Sequence, residues 1–223
     1  QWYDNGVSAL QEGAYLQASR AFDRALQIDP GHAMSWARLG DAQLELDQER
    51  RAQQSVLHAS SLVPDRSRIP DDQRLVLEAA MAMARPDNPA ALRAYSTLAS
   101  RNLKSAPLLV DLGRVHEAMG AVPKALESYR QAGQLDAENP APFLRMGILY
   151  GRAGDTSASE AAFKRAEELY SARGRVEGVA SVSLERGVML DRADRSDEAV
   201  VALQRALQLA TSVDSNYLRA AVL

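Results

Sequence analysis

Three histidines, His32, His58 and His116, are the only imidazoles in the chain, so a metal site or a general base would have to be built around them. They lie far apart and at no metal-ligand spacing. His116-Glu117 opens like a zinc-protease helix, but residue 120, where the second histidine belongs, is glycine. Exposed helical histidines are the plainer reading. The run GRVEG at 174–178 is no phosphate loop, because it lacks both a preceding strand and a following Lys-Ser/Thr. Neither a G-x-S-x-G elbow nor a kinase catalytic signature occurs. Two carboxylate pairs, Asp71-Asp72 and Glu167-Glu168, are adjacent in sequence. Neighbours on a helix point about 100° apart and do not converge on one substrate atom. Asp71-Asp72 is better placed to favour the N-terminus of a helix. Cysteine is absent, which removes disulfides, thiolate metal sites and thiol nucleophiles. The expectation is no enzyme, no cofactor and no metal.

The totals point the same way. With Lys+Arg 26 against Asp+Glu 29 and a net charge of -3, nothing overall favours nucleic acid or an anionic membrane. Lysine stands only at Lys104, Lys124 and Lys164, so nearly all the positive charge is arginine, a bias that reads mainly as codon usage. No apolar run reaches the length of about 18 residues that a membrane span needs, and QWYDNGVSAL is not a signal peptide. Direct membrane insertion of this segment is not expected. The compartment stays open, the cytoplasm being favoured and the periplasm the alternative. The chain has no initiating Met and reads as a piece of something longer.

What could position a binding surface is a repeat. Leu112-Gly113, Gly120, Ala125, Tyr129 and Ala132 return at one constant step as Met146-Gly147, Gly154, Ser159, Phe163 and Ala166. At the same step Trp2, Gly6, Ala18, Phe22, Ala25 and Pro30 return as Trp36, Gly40, Ala52, Val56, Ala59 and Pro64. A glycine inside a helix costs about 1 kcal/mol relative to alanine, so Gly6 and Gly40 are expected to permit close approach of a second helix, with Ala18 or Ala52 facing them. Pro30 and Pro64 stop the second helices. The third unit slips by five residues, has Ala79 where the glycine belongs, and carries Ala91 and Tyr95 at the offsets of Ala125 and Tyr129. After Gly147 the pattern returns late, as Gly187, Ala199, Leu203 and Ala206, and the six added residues lengthen the flanking helices.

This pattern resembles the tetratricopeptide repeat, one helix-turn-helix per period of roughly 34 residues. The resemblance implies an all-α fold, a right-handed α-α superhelix of about six helix pairs plus a C-terminal helix. It implies one array over 1–223, with units near 1–32, 33–66, 72–105, 106–139, 140–173 and 180–213 and a last helix at 214–223. In this family the first helix of each pair lines the concave face. Ligand positions carried over residue by residue are Tyr3, Val7, Ala37, Asp41, Val76, Ala80, Met83, Val110, Arg114, Leu144, Ile148 and Arg152, with Leu10, Glu45, Glu117, Leu184, Val188 and Arg192 at related offsets. Val76, Ala80 and Val110 suit packing between first helices equally well. Tyr3 and Val7 stand where chaperone-binding members carry Lys and Asn, which argues against a carboxylate clamp. Arg114, Arg145 and Arg152 leave an acidic-peptide site open.

The leading functional reading is a noncatalytic protein-interaction module or scaffold that holds a peptide or helical segment in its groove. A second reading is a regulatory or sensory region of a multidomain bacterial kinase or transcription regulator, which the run from Phe143 to Ala210 loosely resembles. A third is self-association as a homodimer through the C-terminal unit, with Leu218 on the contact face.

Overall fold

The computed structural model describes residues 1–102, 104–213 and 216–222. Of the expected last helix, Asp214, Ser215 and Leu223 lie outside the described residues, as does Leu103. Contacts divide the chain into two compact units, Gln1–Gln11 with Tyr15–Ser128, and Glu12–Ala14 with Tyr129–Leu223.

Unit 1 holds α1 (Trp2–Gln11), α2 (Tyr15–Ile28), α3 (Ala33–Glu45), α4 (Glu49–Leu62), α5 (Asp71–Ala84), α6 (Asn88–Arg101) and α7 (Ala106–Ala118). The boundary falls within α8 (Val122–Leu135). Unit 2 continues with α9 (Pro140–Arg152), α10 (Thr156–Ala172), α11 (Val176–Arg192), α12 (Ser196–Ser212) and α13 (Asn216–Val222). No strand occurs among the described residues.

Local chemistry sets the helix ends. Ser105, Asn139 and Asp155 accept backbone N–H bonds from the first turns of α7, α9 and α10, and Pro107 and Pro140 stand where an N–H has no helical partner anyway. The first helices of several units end on a left-handed residue at the same point in the period: Gly154 at φ 79°, Asp47 at 53° and Asp194 at 56°. Five residues separate α4 from α5 beyond the regular spacing, and there Arg66–Arg68 forms one 3-10 turn on an Asp65 cap.

The glycine contacts differ from expectation. A methyl group on Gly6 would lie 2.6 Å from the ring of Phe22, and one on Gly147 would lie 2.5 Å from Phe163. At Gly40 the Ala52 carbonyl is 3.3 Å away, but Val56 is nearer at 2.6 Å. The large residue one turn beyond the small one therefore covers the glycine, because helical side chains lean back over the preceding turn. The small residue lets the backbones close; the large one seals the crossing.

Each unit has its own apolar clusters. In unit 1, Tyr95 packs with Leu75, Ala79, Leu98 and Val115, while Val56 and Leu77 pack with Ala37 and Ala80. In unit 2, Phe163, Tyr170 and Val182 form one cluster, and Leu184, Ala206 and Leu218 another. Leu218 is 3% exposed, so the expectation of an exposed contact face there is corrected: α13 turns this leucine onto α11 and α12. The six added residues lengthen both helices: α10 has 17 residues against 14 in α8, and α11 has 17 against 13 in α9, while the turn between α10 and α11 is one residue shorter than that between α8 and α9.

Candidate functional site on the first helices

In unit 1 the first helices carry two charge pairs at equivalent places in the period. Arg38 and Asp41 lie on α3, and Asp111 and Arg114 on α7, the same i,i+3 spacing with the signs exchanged. Between them in the array, the equivalent positions on α5 are Leu77 and Ala80, neither exposed at all. Apolar, partly small residues on the middle helix leave room for the outer pairs to interact over it. Arg38 Nη1 donates to Asp41 Oδ2 at 3.0 Å and Arg114 Nη1 to Asp111 Oδ1 at 3.0 Å. Arg114 Nε reaches back to Glu45 Oε1 on α3 at 2.9 Å, with Nη2 2.6 Å from the same oxygen as an ion contact lacking hydrogen-bond alignment.

Burial makes this cluster costly and specific. Asp41 is fully covered, and its Oδ1 has no hydrogen-bond donor. Loss of water pushes its carboxyl above the ordinary aspartate value, with Arg38 and Arg114 only partly offsetting this. Burial works against the charge of both arginines as well. For Arg38 it is outweighed by Asp41, with Tyr95 and Asp111 adding to it, and for Arg114 by Asp111 together with Tyr15, Tyr95 and Asp41, so both stay charged. The phenol of Tyr95, completely buried beside them, is pushed well up by desolvation and by Asp111.

Above this charged floor lies a cavity of about 230 Å³. Val7 and Leu10 of α1, and Leu108 and Val110 of α7, supply apolar wall, while Arg38, Asp72, Asp111 and Arg114 supply the charged part. The structure thus brings Val7, Val110 and Arg114 of the expected positions to one cavity. Tyr3 is half-buried, its ring tilted against Phe22 and edge-on to His32, at centroid distances of 6.0 and 5.0 Å. Ala37 and Ala80 sit in the Leu77 cluster, and Val76 and Met83 pack against the Tyr95 cluster. In unit 2, Leu144 and Ile148 join the Phe163 cluster, whereas Arg152 is exposed at the last turn of α9. Arg38, Asp111, Leu108 and the α6 end at Leu98 and Asn102 were not among the expected positions. The signal for the first two was the exchanged i,i+3 charges.

Of the histidines, His32 caps α3 through Ser35, and His58 stacks edge-on with Trp36 at 4.6 Å. Among the described residues no group of His, Asp and Glu is placed to hold a metal ion, and no helix is long and apolar enough to cross a membrane.

Comparison with known proteins agrees with this architecture. A family model described as Tetratricopeptide repeat matches residues 9–69, and a second with the same description matches 144–214. The Saccharomyces cerevisiae protein named Essential for maintenance of the cell wall protein 1 is 37% identical over 60 residues, which are 27% of this chain and 7% of that protein. Among solved structures, TTC0263, a thermophilic TPR protein in Thermus thermophilus, superposes with a TM-score of 0.63 at 19% identity, covering 85% of this chain and 98% of that one. YrrB, titled a TPR protein with an unusual peptide-binding site, superposes with a TM-score of 0.52 at 17% identity, covering 92% of this chain and all of that one. The helix pairs, their period and both family matches lead to one conclusion: the chain belongs to the tetratricopeptide repeat superfamily, whose arrays serve in general as protein-interaction modules.

Proposed function

We propose that unit 1 is a noncatalytic peptide-binding module whose first-helix cavity receives an apolar side chain from an extended or helical segment of another protein. The observation that carries this reading is the cavity itself, with Val7, Leu10 and Leu108 half-buried around a floor whose arginines are already paired. Arg38 and Arg114 are held by Asp41, Asp111 and Glu45, so an incoming carboxylate would have to compete with existing pairs. Two arginines against three acids favour a neutral or cationic residue at this point. The peptide-binding site ascribed to YrrB supports a peptide as the class of ligand.

The test is a panel of random peptides displayed on phage and panned on the protein, the enriched peptides then being titrated by fluorescence anisotropy. We expect enrichment of apolar residues. Leu10→Glu should weaken binding at least about tenfold, equivalent to about 1.4 kcal/mol, with an unchanged circular dichroism melt. Selected peptides that bind Leu10→Glu as well as the parent protein would place the ligand elsewhere.

A further inference from the structure

A second cavity in unit 1, about 360 Å³ in volume, lies along the seam of α5 and α6 and draws on none of the residues that line the first. Its size is at the lower end of pockets that hold a ligand, roughly 300–1,000 Å³. The period explains why it exists. In the preceding unit, the places of Ala82 and Ala94 are taken by Gln43 and Ser55, counted back by one period and the five-residue slip. There Ser55 Oγ donates to Gln43 Oε1 at 2.8 Å, a buried bond that fills the seam. Alanine at both places removes the filling and leaves an apolar floor of Leu75, Ala82 and Ala94, each less than a tenth exposed.

The rim differs from its counterpart as well. Arg85 and Arg93 stand where the preceding unit has Leu46 and Gln54, and the inserted turn contributes Arg66. Arg66 is held over the seam by bonds from Nη2 to Ser60 Oγ at 3.0 Å and to Met81 Sδ at 3.2 Å. Arg85 and Arg93 are exposed, and neither has an ion-pair partner among the described residues. Of the two acids at the rim, Glu78 is paired with Arg74 at 3.1 Å, while Asp87 caps α6 by accepting from Ala90 N and keeps its charge, one carboxylate against the three guanidiniums of Arg66, Arg85 and Arg93. The rim is therefore cationic in a chain of net charge -3. Guanidinium groups above an apolar floor fit one chemistry, carboxylates flanking an apolar side chain.

We propose that the α5–α6 seam is a docking site for an acidic peptide segment, which inserts one aliphatic side chain onto Leu75, Ala82 and Ala94 while its flanking carboxylates pair with Arg85 and Arg93. This site is separate from the first-helix cavity and does not depend on the reading given for it.

The experiment uses the whole chain and a fluorescein-labelled peptide of glutamates around a single leucine, followed by anisotropy. A dissociation constant below about 1 mM, weakened by added salt as exposed charge pairing requires, is the expected result. Replacing the peptide's glutamates by glutamine, or changing Arg85→Glu with Arg93→Glu, should each reduce affinity at least about tenfold. The variant Ala82→Gln with Ala94→Ser rebuilds the pair found in the preceding unit and should also weaken the peptide, without loss of fold and without touching a charge. Binding that survives either variant, or a parent chain that does not bind, overturns the proposal. Displacement by inorganic phosphate at concentrations equal to the peptide's also overturns it, since that marks a site for free anions.

Discussion

At the scale of single residues, Asp41 sets the chemistry of the first-helix floor. Its carboxylate is buried beside two arginines yet keeps one oxygen without a donor, and desolvation holds its pKa above that of an exposed aspartate. An acid whose folded-state pKa is raised binds its proton more tightly folded than unfolded. Its contribution to stability is therefore greatest below the unfolded value and is lost as pH rises through the folded one. Asp41→Asn has no titration at this place, so the difference in unfolding free energy between parent and variant isolates the effect. In urea titrations from about pH 7 downward, the parent should gain stability relative to Asp41→Asn as the pH falls. A difference that grows with rising pH would mean that Arg38 and Arg114 outweigh the burial.

At the scale of elements, three long helices of unit 2 are tied by a line of charges. Arg186 on α11 donates to Glu160 and Glu167 on α10, at 3.0 and 2.8 Å, and Arg205 on α12 lies 2.6 Å from the other oxygen of Glu167. Burial raises the Glu167 pKa, but the bonds from Arg186 and Arg205 outweigh it, so the net shift is downward. Here the sign is opposite to that of Asp41: the stabilisation is present above the ordinary glutamate value and is lost as pH falls through the lowered one. A double-mutant cycle with Arg186→Met and Glu167→Gln should give a coupling of about 1 kcal/mol near neutral pH, shrinking on acidification. Additive single effects would show the pair to be ornamental. The helices themselves were legible in the sequence, because Gly147, Ser159 and Phe163 repeat Gly113, Ala125 and Tyr129 at a fixed step. The lengths of α10 and α11 followed from six extra residues before Gly187. What the pattern could not show was which side chain covers each glycine, since that depends on the backward lean of Phe22 and Phe163 over the preceding turn. Nor could it show that Arg38, Asp41, Asp111 and Arg114 meet. Their spacing is visible, but their meeting depends on how closely α3, α5 and α7 pack around Leu77 and Ala80.

At the scale of the whole molecule, each unit has clusters that draw only on its own helices, around Tyr95 and Leu77 in unit 1 and around Phe163 and Leu184 in unit 2. In a repeat array stability is a sum of local terms and nearest-neighbour contacts, so damage at one crossing is felt first by the helices that share it. Gly147→Ala is a suitable probe. The added methyl would stand 2.5 Å from the Phe163 ring, and that ring is wholly buried and packed among Leu144, Tyr170 and Val182. Overpacking of this kind costs about 1–3 kcal/mol, against about 1 kcal/mol gained by replacing glycine within a helix, so the net effect is destabilising. Amide hydrogen exchange should quicken in α9 and α10 and then in α11, while α3, α4 and α5 keep the protection of the parent chain. If instead all helices of both units lost protection equally, the chain would be opening as one cooperative block, and the local account of its stability would be wrong.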